Sequence, residues 1–427
     1  MKRAILCSLV SVFALSAQES RSLLTNDLSL PNWLTVNAQA RWRAEGQHSL
    51  GYVDGNDQDF LLQRYRLSVG VQPIGWMKFF GEVQDSRASS TTTDATTRNV
   101  FDLRQAYVDI GHENAWWDVK VGRQVLAFGS ERMIGGSDWT NIARVFDAAR
   151  LGIHHGVNRV DIFSSSVVNV NKTAWDHHQD GNNMHGIYAS IGSLIPGSKM
   201  EPYLIMRTSP SFAAGPGVAG AYHSFTYGWR AAGTAKKVWF YEADILGQHG
   251  KVSSTRLSAW GAELQARRQF TSVKWQPSLM GEFNFASGDK RPGDSVVNTL
   301  DQLYPTNHSI YGIADQVGRR NNKNVRAGFW LQPRKWLTVK AEGEDFWLAS
   351  RYDALYLAGG GVGVAAVPGG AASTHIGREA DGVADIRLSR YYTIGAQVGH
   401  LFPGEFIQRY ANNTSRTFYA VYLDLRI

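Results

Sequence analysis

The sequence feature that most constrains this fold is an unbroken alternation of apolar and polar residues between Leu34 and Glu45. Every second residue from Leu34 to Ala44 is apolar, and the residues between them are polar. A period of two places the two sets of side chains on opposite faces of a β-strand. A tilted strand needs about 9–11 residues to cross a bilayer, whereas strands of soluble proteins average about 5–6. The pattern therefore predicts a membrane-spanning strand.

The alternation recurs along the whole chain, near residues 64–72, 337–344 and 416–427. Short connections rich in turn formers follow some of these stretches, at Gln72–Gly75, Gln332–Lys335 and Phe402–Gly404. Long polar segments lie between them, at about 46–58, 87–98, 126–147, 167–183, 208–220, 286–321 and 349–383. Short periplasmic turns and long extracellular loops are typical of outer-membrane barrels.

We therefore predict an all-β fold that consists of a single closed antiparallel transmembrane β-barrel of about 18 strands. Both ends of the barrel lie on the periplasmic side in this prediction, and Glu405–Tyr410 is counted as part of a strand. Trp and Tyr side chains are expected in two girdles at the membrane boundaries.

The first residues have the layout of a secretory signal peptide. Lys2 and Arg3 supply the positive charge, the next eleven residues are mostly apolar, and Ala17 ends a cleavage site before Gln18. A membrane-spanning helix would need roughly 20 residues, so a buried N-terminal helix or strand is the alternative. We divide the chain into a signal peptide (1–17), an N-terminal leader (18–32) and an outer-membrane β-barrel (33–427). The only cysteine, Cys7, lies in the signal peptide, which excludes disulfides and cysteine metal sites from the mature chain.

The composition agrees with a barrel better than with soluble domains. The chain has 14 Trp and 43 Gly residues, and no apolar stretch after the signal peptide is long enough for a membrane-spanning helix. Trp is enriched where a protein wall meets the membrane–water interface. The net charge of +7 is compatible with nucleic acid, a membrane surface or an acidic small ligand as a partner.

The polar face of the predicted strands carries many charges. Its basic residues are Arg41, Arg43, Arg64, Arg66, Arg104, Arg150, Arg230, Arg326, Lys340 and Arg387, and its acidic residues include Glu82, Asp161, Glu242, Glu263, Glu282 and Glu342. Arg or Lys facing lipid at mid-depth would cost about 2–4 kcal/mol each, so this face must line the lumen. A lumen lined by arginine favours anions, because the guanidinium replaces the solvation that a carboxylate loses in a narrow pore. Alternatively, these arginines pair with the acids and only stiffen the wall.

Several motifs together resemble the alginate export family of outer-membrane barrels. They are Leu103–Val108, Gly122-Arg123-Gln124, Gly129, Gly136, Asp138–Asn141, Arg144–Arg150, Ser287-Gly288-Asp289, Leu303-Tyr304-Pro305, Tyr311–Asp315 and Phe346-Trp347 to Asp353. The resemblance implies an 18-stranded barrel through which an anionic uronic-acid polysaccharide diffuses past an arginine-rich constriction. It also implies lumenal positions for Arg64, Arg104 and Arg123.

Two features depart from this family pattern. Strict alternation places Arg123 on the lipid side with Val119 and Val121, so either a β-bulge intervenes or Arg123 lies beyond the membrane. The chain also ends in Ile427, where outer-membrane barrels more often end in an aromatic residue. The full set of residues that we predict along the substrate path is Arg41, Arg43, Arg64, Arg66, Arg104, Arg123, Arg150, Asp161, Arg230, Arg326, Lys340, Glu342 and Arg387.

The segment 126–147 is predicted to enter the barrel. It contains Phe128, Trp139 and Phe146, whose side chains favour burial. We expect part of the segment to narrow the lumen, and an extracellular flap is the alternative.

These observations predict a passive, anion-selective channel in the bacterial outer membrane that exports an acidic, alginate-like exopolysaccharide. The alternatives are an uptake porin for small anions or acidic oligosaccharides and, third, an enzyme that uses lumenal acids such as Glu342 and Glu344. We expect no enzyme activity and no cofactor. Expected partners are an anionic polysaccharide or oligosaccharide and outer-membrane lipid, with a periplasmic export component as a further candidate. Nucleic acid is excluded because the cations alternate into a lumen, and the chain is expected to be a monomer.

No metal site is predicted. His154 and His155 are adjacent in a strand and point to opposite faces, so they cannot bind one ion together. His177 and His178 lie in a polar segment with Asp176 and Asp180, where a weak metal site is left open.

Overall fold

The computed structural model describes residues 23–89, 97–111, 115–172, 174–308 and 310–427. The predicted signal peptide (1–17) and residues 18–22 of the predicted leader lie outside these ranges. Within them, no helix has both the length and the apolar character needed to cross a membrane.

Most of the described residues form β-strands. The strands are β1 (Leu34–His48), β2 (Gln58–Ile74), β3 (Met77–Ala88), β4 (Asn99–Gly111), β5 (Trp117–Gln124), β6 (Phe146–His155), β7 (Asn158–Asn169), β8 (His177–Ser190), β9 (Ser198–Gly215), β10 (Val218–Ala235), β11 (Trp239–Val252), β12 (Thr255–Gln269), β13 (Ser278–Ala286), β14 (Val296–Val297), β15 (Asn322–Arg334), β16 (Leu337–Leu348), β17 (Leu355–Tyr356), β18 (Val362–Val364), β19 (His375–Arg387), β20 (Tyr392–Pro403) and β21 (Arg416–Arg426). The helices are α1 (Leu23–Asp27), α2 (Glu405–Tyr410) and a 3₁₀ turn at Leu50–Tyr52.

The wall is a closed antiparallel barrel of eighteen strands, which are all of the strands above except β14, β17 and β18. Each wall strand pairs with the wall strands before and after it in the chain. β21 closes the barrel against β1, from Gln39 opposite Arg426 to His48 opposite Thr417. The predicted barrel is confirmed, and a closed wall leaves no unpaired strand edge within the membrane.

Alternation along each strand explains why this sequence forms a barrel. On β10, Phe225, Tyr227 and Trp229 are exposed on the outer face, whereas Ser224 and Thr226 between them are buried inside. Exposed Trp side chains also gather near the short turns, at Trp33, Trp76, Trp116, Trp239, Trp275 and Trp336. This ring is one of the two predicted girdles, and it marks the boundary where the wall meets the interface.

Connections at the end where the barrel begins and finishes are short, for example 75–76, 156–157 and 335–336. Long connections occupy the opposite end, at 49–57, 125–145, 287–321 and 349–374. The predicted arrangement, with short connections at one end of the barrel and long connections at the other, is therefore present.

One predicted loop, 208–220, is wrong. β9 continues to Gly215 and β10 starts at Val218, so only Pro216 and Gly217 connect them. The left-handed backbone of Gly217, with φ of 69°, allows this tight turn. Polar residues of this segment belong to strands that extend beyond the membrane, where alternation with apolar residues is no longer required.

The predicted strand at Glu405–Tyr410 is also wrong, because these residues form α2. Phe406 and Ile407 on this helix are fully buried and pack with Leu401 and Phe346 in one apolar cluster. β20 ends at the end of the barrel with the long loops, so Phe402–Gly404 is no periplasmic turn.

Candidate functional site: the lumen

Opposite walls of the lumen carry opposite charge. Cations prevail on β1–β7, with Arg41, Arg43, Arg64, Arg66, Arg104, Lys120, Arg150 and Arg159. Carboxylates prevail on β11–β19, with Glu242, Asp244, Glu263, Glu282, Glu342, Glu344, Glu379, Asp381 and Asp385. Two long connections enter the barrel between these walls, and we call their residues 125–145 and 299–321 (without 309) the inner layer.

The first part of the inner layer is held by four arginines, Arg41, Arg43, Arg64 and Arg66, which we call the arginine cradle. Arg41 donates hydrogen bonds to the backbone carbonyls of Asp138, Trp139 and Thr140, each at 3.0 Å. Arg43 donates to the Trp139 carbonyl at 2.5 Å, and Arg64 donates to the Asp138 carbonyl at 3.0 Å. The arginine donors thus satisfy backbone acceptors of a segment that lies inside the barrel.

The Asp138 carboxylate lies among the same arginines. Arg66 Nη1 is 2.8 Å from Asp138 Oδ1, and Arg64 Nη1 is 3.3 Å from the same oxygen. The positive charges of Arg64, Arg66 and Arg41 around this carboxylate stabilise its ionised form. Asp138 therefore supplies a fixed negative charge at the cationic wall.

The second part of the inner layer is held by carboxylates of the opposite wall, Glu344, Glu379 and Asp381, which we call the carboxylate cradle. The backbone N–H groups of Gly312 and Ala314 donate to Glu344 Oε1 at 3.0 Å and to Glu379 Oε1 at 2.8 Å. Ile313 N–H donates to Asp381 Oδ2 at 3.3 Å. The two cradles therefore bind opposite ends of the peptide dipole, carbonyls on one wall and N–H groups on the other.

Basic residues of the inner layer neutralise further acids of the same wall. Arg132 is 2.6 Å from Glu263 and 2.9 Å from Glu282, and Arg319 is 3.7 Å from Asp244. The three acids are buried. Pairing and hydrogen bonding offset the cost of burying such charges.

The prediction that 126–147 enters the barrel is confirmed. Leu126, Ile134 and Trp139 of this segment are buried, as is Phe146, which begins β6. Arginine contacts from β1 and β2 hold its residues 138–140 against the cationic wall, inside the lumen.

Between the arginine cradle and the periplasmic mouth, four basic residues remain partly exposed to the lumen. We call this set the cation ladder: Arg104, Lys120, Arg150 and Arg159, whose side chains are 10%, 15%, 22% and 27% exposed. Lys120 lies directly opposite Arg150 in the pairing of β5 with β6. Exposure rises toward the mouth, so the ladder is open to solutes in the lower half of the barrel.

Each ladder cation also has a carboxylate neighbour. Arg104 pairs with Glu82, Lys120 lies 3.2 Å from Asp109, and Arg150 lies 3.5 Å from Asp161. Arg159 contacts Asp118 and Asp161 at 2.9 and 2.6 Å. Such pairs lower the net attraction for an anion, but the side chains can still donate to one, because a guanidinium has five N–H donors and a lysine ammonium has three.

The other predicted path residues, apart from Arg123, fall into two groups. Arg230, Arg326, Lys340 and Glu342 face the lumen in ion pairs on the carboxylate side, with Arg230 bound to Glu201 and Glu242, Arg326 to Glu282, and Lys340 to Glu342. Arg387 is exposed at the periplasmic end of β19.

Arg123 is not in the lumen. It shares the outer face of β5 with Val121 and lies 2.8 Å from Asp147 across β6, and it donates to the Asp176 carbonyl at 3.0 Å. Of the two alternatives that the alternation left open, the position at the extracellular rim is the one found.

Sequence reasoning missed Lys120 and Arg159. Lys120 and Arg123 lie on opposite faces of β5, so a lumenal Arg123 would place Lys120 on the lipid side. Alternation with Val119 and Val121 nevertheless indicates that Lys120 faces the lumen. Arg159 lies one residue inside β7, where no long alternation marks its face. Arg132 and Arg319 belong to loops, whose side-chain direction follows no period.

Two of the histidines considered as metal ligands have carboxylate partners. His154 binds Asp118, and His178 lies 3.4 Å from both Asp147 and Asp180. Among the residues that the structure describes, no group of three or more His, Cys, Asp or Glu side chains is arranged to hold a metal ion.

Solved structures with the same fold include Occ proteins of Pseudomonas aeruginosa and Acinetobacter baumannii. Pseudomonas aeruginosa OccK2 (OpdF), determined in complex with glucuronate, gives a TM-score of 0.60 at 10% identity over 92% of this chain and 98% of that chain. Acinetobacter baumannii OccAB2 gives 0.61 at 9% identity over 92% and 98%, and Pseudomonas aeruginosa OccK3 (OpdO) gives 0.61 at 9% over 92% and 95%. These identities support the shared barrel fold alone.

No curated protein sequence matches the chain. The profile of one family, described as alginate export, matches residues 32–421, which is nearly all of the barrel. Together with the closed barrel and its charged lumen, this match shows that the chain belongs to the alginate export family and is an outer-membrane channel of bacteria.

Proposed function

We propose that this protein is a passive, anion-selective channel that exports an acidic polysaccharide of the uronate type. The cation ladder carries this proposal. Arg104, Lys120, Arg150 and Arg159 follow one wall from the arginine cradle to the periplasmic mouth and stay accessible, with up to 27% of a side chain exposed. By contrast, Glu263, Glu282 and Glu344 on the opposite wall are at most 1% exposed. A solute in the lower lumen therefore meets the ladder and its neighbouring acids, such as Asp109, more readily than these acids of the opposite wall.

Carboxylates of a uronate chain fit this wall for electrostatic reasons. Two unit charges 4 Å apart interact by about 4 kcal/mol at an effective dielectric of 20, which exceeds thermal energy. Neighbouring acids such as Asp109 and Asp161 weaken each site. Conduction requires sites that attract an ion but also release it. A row of half-neutralised cations meets both requirements, because each sugar can move to the next cation before it is held too tightly.

Asp138 supports the same substrate class, since its carboxylate occupies the arginine cradle in the way that a uronate carboxylate would. Arg66 holds Asp138 at 2.8 Å, and Asp138 keeps 36% of its side-chain surface accessible. We propose that a uronate entering from the ladder competes with Asp138 for Arg66.

Export is the proposed direction because the accessible cations lie at the periplasmic end. A polymer delivered from inside the cell reaches this end first, and the ladder raises its local concentration there. The second candidate is uptake of small anions or acidic oligosaccharides. OccK2, which shares the barrel fold, was determined with a single uronate, glucuronate. We also propose that the sugar passes without chemical conversion.

Block of ionic current by sugar oligomers tests the proposal. Full-length protein in planar bilayers receives either oligouronate or a neutral mannose oligomer of equal length. We expect oligouronate to block, more strongly from the periplasmic side, and the block constant to weaken at least tenfold in the R104Q/K120Q/R150Q variant. R378Q, at an exposed outward-facing arginine, is the matched control and should block like the native protein.

Three outcomes separate the candidates. Equal block by the neutral oligomer would contradict a uronate path. Stronger block from the extracellular side would favour uptake over export. Mass spectra that show shortened or unsaturated oligouronates after incubation would indicate enzyme activity and contradict passive transport.

A further inference from the structure

A row of three basic side chains crosses the outer surface of the wall near its extracellular end. His223, Lys251 and Arg256 lie on β10, β11 and β12, and the strand register pairs His223 with Lys251 and Lys251 with Arg256. All three are exposed, whereas Val252 and Leu257 next to them are buried. The row therefore faces away from the lumen and spans about 10 Å, since neighbouring strands are about 4.8 Å apart.

This basic row lies just above the aromatic residues of the outer membrane boundary. Phe225 and Tyr227 follow on the same face of β10, and Trp260 follows on the same face of β12; all three are exposed. Such aromatic side chains mark the level of the headgroups. Two residues along a tilted strand correspond to a height difference of about 5 Å along the membrane normal. The basic row is thus at the level of phosphate groups in the outer leaflet.

Other outward-facing arginines near this rim have a carboxylate partner. Arg87 lies 2.5 Å from Asp85, Arg123 lies 2.8 Å from Asp147, and Arg378 lies 2.9 Å from Asp345. A carboxylate already occupies part of each guanidinium at these positions.

The basic row differs in this respect. Within the described part of the chain, no carboxylate forms an ion pair with Lys251 or Arg256. Asp294, on the segment beside β12, accepts the N–H of Val296 at 2.7 Å. Like charges on directly opposite residues destabilise a sheet. An arrangement of this kind is favourable when an external anion binds between the charges.

We propose that the basic row binds a phosphate group of a phosphorylated glycolipid in the outer leaflet. Lys251 and Arg256 would donate charge-assisted hydrogen bonds to the phosphate oxygens, and His223 would add a third donor. The acyl chains would lie along Phe225, Tyr227 and Trp260 below. The turn residues Ser253 and Ser254, which are exposed directly above the row, leave room for the headgroup sugars. This proposal does not depend on the solute that passes through the lumen.

Binding of two purified lipids to the full-length protein in detergent tests the proposal. The probes are bisphosphorylated lipid A and the same lipid after enzymatic removal of its phosphates, and retention is measured by native mass spectrometry. We expect the native protein to bind the phosphorylated form at least tenfold more tightly. In K251Q/R256Q this preference should fall to less than threefold, whereas R378Q should keep it. K251R should also keep it, because the charge is retained.

Equal affinity of the native protein for the two lipids would overturn the proposal. So would a K251Q/R256Q variant that runs as a folded, heat-modifiable barrel on gels and keeps the full preference. Inorganic phosphate alone is a third probe. If it displaces phosphorylated lipid A completely at millimolar concentration, the site binds free phosphate and the lipid assignment is wrong.

Discussion

Trp139 and His308 stack face to face inside the barrel, with ring centroids 4.4 Å apart and planes 2° from parallel. One residue comes from each long connection of the inner layer. Arg43 of the arginine cradle lies over the same Trp139 ring at 4.1 Å, and His308 is fixed by Asp315 at 2.8 Å and by Gln397 at 3.1 Å. This contact joins the part of the inner layer held by arginines to the part held by carboxylates.

Trp139→Ala should loosen the inner layer. Removal of a buried aromatic side chain costs about 3–5 kcal/mol in a packed core, and here it also removes the stack with His308. We expect a lower unfolding temperature and a larger, noisier single-channel conductance. Trp76→Ala, at an exposed tryptophan by a periplasmic turn, is the control. It should change the unfolding temperature and the conductance much less. An unchanged conductance in Trp139→Ala would show that this contact does not restrict the lumen.

Gly312→Ala should displace the second part of the inner layer. Gly312 has φ of 77°, and a Cβ there would lie 2.4 Å from Glu379 Oε1. Left-handed backbone costs a non-glycine residue about 1–2 kcal/mol before this clash is added. We expect larger conductance at unchanged assembly. Gly359→Ala is the control, since no atom lies within 4 Å of its Cβ position. Equal conductance of the two variants would contradict the role of the carboxylate cradle.

Asp138→Asn should make the lumen more anion-selective. The change removes one negative charge from the group formed by Arg41, Arg64 and Arg66, while the backbone carbonyls of residues 138–140 can still accept the arginine donors. Reversal potentials in a KCl gradient should shift further toward the chloride potential. An unchanged reversal potential would mean that ions do not pass near Asp138, and a shift toward the potassium potential would contradict the expected effect of its charge.

Asp176 provides a pH-dependent test outside the membrane. Burial, with the nearby charge of Asp102, raises the pKa of Asp176 to about 6. A raised carboxyl pKa means that folding favours the protonated form. Stability is therefore highest below the unfolded pKa of about 4 and declines as the pH rises through about 6.

Asp176→Asn removes this titration. We expect the unfolding temperature of the variant, relative to that of the native protein, to be more favourable at pH 8 than at pH 4. Asp180→Asn, at a fully exposed carboxylate, is the control. Its unfolding temperature relative to the native protein should be the same at pH 4 and at pH 8. A pH-independent difference for Asp176→Asn would show that Asp176 titrates as an ordinary surface acid.

The sequence predicts the barrel because its physical requirement is repeated in every strand. A wall between lipid and water needs side chains that alternate, and runs such as Leu34–Glu45 satisfy this without help from distant residues. The prediction is wrong where the requirement is absent. Above the membrane both faces of a strand can be polar, so the sequence predicts a loop at 208–220, where β9 ends and β10 begins. α2 buries only Phe406 and Ile407, and a helix of six residues is too short to show a helical period in the sequence.

The site is less predictable because its contacts are made between residues far apart in the chain. Alternation places Arg41 and Arg64 in the lumen, but it does not show that carbonyls of residues 138–140 occupy their donors. Nor does it indicate that Glu344 and Glu379 bind backbone N–H groups of the second loop. Loop backbones follow no period, so these tethers come only from the folded structure.

The reversal potential of the native channel under a KCl gradient tests the central claim most directly. If the accessible cations of the ladder set the selectivity, the native channel prefers chloride over potassium. The preference should shrink in R104Q/K120Q/R150Q and at 1 M salt, where the Debye length falls to about 3 Å. A native channel that prefers potassium would contradict the account.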